Sequence, residues 1–113
     1  MWRKYGNIKT EIDGDMFDSR AEANRWVELR MMEQVGYISE LRRQVPFTLI
    51  QGQRWSDGKK HRDTVYIADF VYIDNDTGLT VVEDVKGFRT DAYKIKRELM
   101  KDRYGIEIRE IGK

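Results

Sequence analysis

At 113 residues, with 21 Lys and Arg against 20 Asp and Glu, the chain has a net charge of +1, too balanced to attract a partner by bulk charge. A hydrophobic content of 40%, with 12% aromatic residues, suits one folded domain with a modest core and excludes a disordered chain. The absence of cysteine and the single histidine, His61, exclude disulfides, thiol catalysis, cysteine zinc sites and any chemistry that needs two histidines.

Residues 1–10 read as a basic, aromatic arm. In it Trp2, Arg3, Lys4, Tyr5 and Lys9 are suited either to stacking on bases and gripping phosphates or to packing on the domain. A helix is expected over 19–35. Ser19 and Glu22 are spaced as a capping box, Phe17 as a staple, Ala23, Trp26, Val27 and Met31 as a buried stripe, and Gly36 as the stop. A short strand is expected at 45–51, and 52–63 reads as a polar, basic loop close to any substrate. Residues 64–73 and 79–86 are rich in β-branched and aromatic residues and flank the turn-forming 74–78, which makes them a hairpin. Thr90 or Asp91 should cap a second helix that reaches Tyr104 and stops at Gly105, and 106–111 alternates as a last strand. The expected fold is α/β, a single mixed β-sheet flanked by helices in the order αβββαβ. The lone proline, Pro46, offers no linker, and nothing in 1–113 divides it into more than one domain. No apolar run is long enough to span a membrane, and the first residues lack the apolar core of a signal peptide. A cytoplasmic protein with no membrane partner is expected.

Chemistry is most visible in the hairpin, where Asp69 interrupts an apolar strand and Asp84-Val85-Lys86 ends the next. Strand interiors are poor places for charge unless something compensates it. With a four-residue loop, 75–78, Asp74 pairs with Leu79 and Asp69 lies opposite Asp84, with Lys86 on the same face. A five-residue loop puts Asp69 opposite Glu83 instead. The first register is favoured, with Glu83 then pointing away and pairing structurally with a base. Facing carboxylates repel. Solvation or pairing with Lys86, Arg89 or another base would relieve that repulsion, but the apolar neighbours of Asp69 favour a hard divalent cation, and Mg²⁺ or Mn²⁺ suits the all-oxygen donors better than Zn²⁺. Basic residues concentrate in two places: 86–103 holds seven against three acids, and 54–62 holds four against Asp57. Both are consistent with a DNA-binding groove, and equally with solvated surfaces.

The order Asp69, hairpin, Asp84-Val85-Lys86, with a helix before and after, resembles the PD-(D/E)XK phosphodiesterase superfamily of restriction enzymes, repair nucleases and Holliday-junction resolvases. The segments Lys4-Tyr5-Gly6-Asn7, Phe17-Asp18-Ser19, Asp84-Val85-Lys86-Gly87-Phe88-Arg89-Thr90 and Tyr104-Gly105-Ile106-Glu107 resemble a group of small phage and prophage proteins of that superfamily without an assigned role. Ala68 stands where the superfamily name has proline, which supplies no ligand. The resemblance implies a restriction-endonuclease-like core and Mg²⁺- or Mn²⁺-dependent hydrolysis of DNA. Asp69, Asp84, the Val85 carbonyl and Glu22 would be at the metal, and Lys86 would be the catalytic cation. Glu22 has two readings, helix cap and metal ligand. Arg89, Lys94, Lys59, Lys60, Arg3 and Lys4 are candidates for contacts to DNA, and Gln44 is a weaker one. The expected substrate is branched or junction DNA, cut by a homodimer with one site per strand inside a bacterial host cell. A nicking or flap endonuclease, a noncatalytic DNA-binding module that keeps the fold, and an RNA-directed nuclease are the alternatives.

Overall fold

Asp13 and Gly14 both hold positive φ, 49° and 86°, as a two-residue I′ turn demands, and they fold the chain into a small hairpin. Its strands are β1 (Thr10–Ile12) and β2 (Asp15–Phe17), paired from Thr10 with Phe17 to Ile12 with Asp15. Hydrophobic periodicity does not predict this element; the Asp-Gly pair is its sequence signal. The computed structural model describes residues 9–112. Trp2, Arg3, Lys4 and Tyr5 of the expected arm lie outside them.

Helix α1 (Arg20–Gln34) follows, with Ser19 as its N-cap accepting the Glu22 amide at 3.1 Å. Its buried face is Glu22, Ala23 and Leu29 with Trp26 half-buried, a rotation from the expected stripe. Val27 and Met31 are instead exposed, at 39% and 60%. A carboxylate does not register in a hydrophobic count, yet Glu22 is on the inner face. The helix is fixed there by Trp26, stacked on Phe70 with ring centroids 5.9 Å apart.

Strand β3 (Ile38–Ile50) is 13 residues long, where 45–51 was expected. Its first half, with Ser39, Glu40, Arg42, Arg43 and Gln44, is too polar to read as a strand. It lies at the edge of the sheet, where one flank needs no apolar cover, and a bulge between Ser39 and Arg42 interrupts its pairing. Next come β4 (Thr64–Asp74) and β5 (Thr80–Lys86), then α2 (Asp91–Tyr104) capped by Thr90, and β6 (Arg109–Gly112). The sheet order is β3-β4-β5-β6, antiparallel until β6 runs parallel to β5. Apart from the added hairpin, this is the expected αβββαβ order around one mixed sheet. The expected four-residue loop is also present: the Asp74 amide donates to Leu79 at 3.0 Å, and the ladder runs from Ile73–Thr80 to Phe70–Glu83.

Apolar side chains cover the sheet on both sides. Tyr93 and Met100 of α2 pack with Leu49, Tyr66, Ala68, Val71 and Val82 on one side; Ala23 and Leu29 of α1 pack with Phe17, Ile38, Phe70 and Tyr72 on the other. Each large member contributes about 2–3 kcal/mol by leaving water. No helix among the described residues is long and apolar enough to cross a membrane.

Candidate active site

Strand β4 changes face at Asp69. Tyr66 and Ala68 belong to the core under α2, yet Phe70 and Tyr72, with the same parity, belong to the core under α1. Its neighbour β3 changes face at the same level: Leu41 packs under α1 and Val45 and Phe47 under α2, and between them Gln44 has φ +52°. In an antiparallel pair side chains alternate strictly, so a face change requires a local break in the pleat. The break is visible on the β5 side as well. Continued alternation would aim the Val85 amide at the Ala68 carbonyl, but it donates to Asp69 Oδ2 at 2.8 Å. The carboxylate of Asp69 therefore takes the place of a ladder bond, which explains its presence in an otherwise apolar strand.

Where the strands part, a cleft of about 460 Å³ opens, lined by Asp18, Glu22, Tyr66, Asp69, Asp84, Val85, Lys86, Tyr93 and Lys96 among others. Asp84 is 3% exposed. Its Oδ2 accepts the Tyr66 hydroxyl at 2.6 Å and its Oδ1 lies 3.1 Å from the Lys86 ammonium. Lys86 in turn sits over the Tyr93 ring, 4.3 Å from its centroid. From α1, Glu22 enters the same cleft at 5% exposure; its Oε2 is buried with no hydrogen-bond partner among the described residues, and Arg43 Nη2 lies 3.7 Å away. No bond returns from the Ser19 amide, so only half of the capping box forms and the glutamate is free to face Asp69.

The carboxylates strain one another. Burial, reinforced by Asp69 and Asp18, pushes Glu22 up to about 7, and burial with Asp84 nearby pushes Asp69 up to about 6. The folded protein therefore holds protons here that the unfolded chain releases near pH 4. Their stabilisation is complete below about pH 4 and is lost as pH rises through 6 and 7. On raising the pH from 5 to 8 in EDTA, thermal stability should fall by an amount on the order of 2–3 kcal/mol from these groups. Glu22→Gln, which keeps the shape and removes the charge, should flatten that decline. Parallel pH profiles for the two proteins would show that Glu22 carries no shared proton.

The donor set suits a hard cation. Glu22 Oε2 is an unsatisfied buried oxygen, and Asp69, Asp84 and the Val85 carbonyl add only oxygen donors. Among the described residues no three His, Cys, Asp or Glu side chains gather closely enough to hold an ion by themselves. That leaves part of any coordination shell to backbone, water and substrate oxygens, the usual habit of Mg²⁺.

The remaining candidates lie elsewhere. Glu83 points to the opposite face as expected, where the Arg25 guanidinium binds it through two nitrogens at 2.8 and 2.7 Å and the Tyr72 hydroxyl donates to it. Arg89 is tied to Glu110 at 2.7 Å, Lys94 lies exposed 4.0 Å from Asp91, Gln44 and Lys9 are exposed, and Lys59 and Lys60 lie on the β3–β4 loop. Neither Arg89 nor Lys94 lines the cleft. Sequence reasoning overlooks Tyr66, Lys96, Arg43 and Asp18. Strict alternation puts Tyr66 on the face opposite Asp69, so the face change conceals it. Lys96 was legible in principle, one helical turn after Tyr93 on the same side of α2.

A family model described as a protein of unknown function (DUF1064) matches residues 2–111, nearly the full chain, and the protein belongs to that family. No curated protein and no solved structure matches it.

Proposed function

We propose that the protein is a Mg²⁺- or Mn²⁺-dependent endodeoxyribonuclease of the PD-(D/E)XK type. One observation carries the reading: Glu22 from α1, Asp69 from the break in β4, and Asp84 with Lys86 from the end of β5 converge on one cleft, with an unsatisfied buried oxygen among them. A structural role explains poorly why Glu22 should be buried beside Asp69, which raises its proton affinity, and Asp69 beside Asp84, which raises that of Asp69. A cation held by Asp69, Asp84, the Val85 carbonyl and Glu22 would supply Lewis-acid and water-activating chemistry. Tyr66 and Lys86 hold Asp84 in orientation. Lys86 is also the ammonium available to a phosphate oxygen as charge builds up on it, and Lys96, half-buried without an ion pair among the described residues, adds a second positive charge to the cleft.

The finer reading is a structure-selective enzyme of the cytoplasm, acting as a homodimer on branched DNA in phage recombination or replication. One cleft cuts one strand, so paired incisions need two copies. Incubating the protein with linear, nicked, flap and four-way-junction DNAs, in Mg²⁺ or EDTA, tests both levels. Metal-dependent cleavage of any of these is expected, with the junction preferred and its two opposed strands nicked symmetrically. A protein that cuts none of them in either Mg²⁺ or Mn²⁺ is not this enzyme. One that cuts junction and linear duplex equally well is a nuclease but not a resolvase.

A further inference from the structure

Residues 51–63, between β3 and β4, form an ordered projection. The Gly58 amide donates to the Trp55 carbonyl at 2.9 Å to close a turn, and Trp55 to Lys59 at 2.9 Å and His61 to Gln53 at 2.8 Å extend it as a narrow hairpin. At its base Gly52 is packed so tightly that a Cβ would meet the His61 carbonyl oxygen at 2.1 Å. Both acids in the loop are turned onto its own backbone: Asp57 accepts the Lys59 amide at 2.9 Å and Asp63 the Gly52 amide at 2.7 Å. Of the bases, Arg54 is used in the same way, donating to the Gly58 carbonyl at 2.8 Å. Lys59, Lys60 and Arg62 are exposed and make no ion pair among the described residues.

On this cationic hairpin the Trp55 indole lies flat on the His61 ring, with centroids 4.0 Å apart and planes 5° from parallel. His61 covers one indole face, yet Trp55 remains 58% exposed. An exposed tryptophan held rigid by a stacked partner and surrounded by unpaired cations has the form of a base-stacking platform. Lys60, His61 and Arg62 also border a hollow of about 410 Å³. The loop leaves the sheet at the end where the cleft opens, since Val65 and Ile67, just beyond it, line that cleft. Four residues of extended strand separate Ile67 from Asp63, about 13 Å.

We infer that the Trp55–His61 stack binds an unpaired base of a DNA single strand, with Lys59, Lys60 and Arg62 on the neighbouring phosphates. The substrate class is then DNA in which a single-stranded arm adjoins a duplex, the flap alternative rather than a fully paired junction, since a paired base within a duplex has no free face to offer. This deepens the nuclease reading and rests on the cleft being a DNA site.

The test is an affinity ratio measured in EDTA, where turnover does not enter. Wild-type protein should bind a flap DNA about tenfold more tightly than the matching duplex, as one stacked base supplies. Trp55→Ala should bring the ratio close to one with little change for duplex, and Trp55→Phe should keep most of it. Replacing single bases of the arm by abasic sites should reproduce the loss at one position in wild type and cause no further loss in Trp55→Ala. Equal weakening on flap and duplex in Trp55→Ala, or an abasic scan without effect in wild type, would overturn the platform. Cleavage is scored separately in Mg²⁺; its absence overturns the nuclease reading, and the affinity ratio still decides the platform.

Discussion

Lys86→Ala should lower DNA cleavage by roughly a hundred- to a thousandfold, the usual cost of removing one group that stabilises charge in a transition state. Lys86 sits 3.1 Å from Asp84 and over the Tyr93 ring, so its ammonium is aimed into the cleft and contributes little to the core. The fold should survive, with a melting temperature near that of the wild type. Asp69→Asn and Asp84→Asn should lose activity at least as completely. They differ in their effects on stability. Asp69→Asn removes a carboxylate that burial and Asp84 already push up to about 6, so in EDTA at pH 8 the variant should match or exceed the wild type in stability. Asp84→Asn keeps an acceptor for the Tyr66 hydroxyl but loses the pairing with Lys86. Single-turnover cleavage assays beside thermal melts separate these outcomes. Wild-type turnover in any one variant removes that residue from the chemistry.

Arg25→Ala should have the largest effect on stability, on the order of 3–5 kcal/mol, without touching the cleft. Glu83 is fully buried on the face opposite Asp84, and the two-nitrogen grip of Arg25 with the Tyr72 hydroxyl is what makes its charge tolerable there. Removing the guanidinium leaves a carboxylate in a dry interior. Glu83→Gln should cost less, because an amide still accepts from Tyr72 and strands no charge. Urea denaturation of the two single variants and the double variant measures the coupling. If Arg25→Ala destabilises by under about 1 kcal/mol, the pair behaves as a solvated surface bridge.

The hairpin register was legible because the turn residues at 74–78 set it, and one slip would have moved every side chain of β5 to the other face, exchanging Glu83 with Asp84. The ends of both helices were legible from Ser19, Thr90 and Gly105, whose local chemistry acts whatever the tertiary context. The first half of β3 was not, since its membership depends on lying beside β4 rather than on its own polar residues. The cleft was half legible: Asp69, Asp84 and Lys86 could be placed by counting from a turn. Tyr66 could not, because period-two reasoning assumes an unbroken pleat and the pleat breaks at Asp69. Glu22 belongs to both accounts. Its spacing from Ser19 is that of a cap, and only the missing return bond and the nearby Asp69 show that its carboxyl faces the cleft.

The face change in β3 and β4 has a consequence for how the protein comes together. In a regular sheet, helices on opposite sides never share a volume, because the strands lie between them. Here β3 and β4 change the face they present at Gln44 and Asp69, and Glu22 of one covering helix and Tyr93 and Lys96 of the other border the same space. The cleft consequently exists only when both helices have docked. A chain with either helix undocked has no assembled site, so completing the fold and arming the cleft are one event.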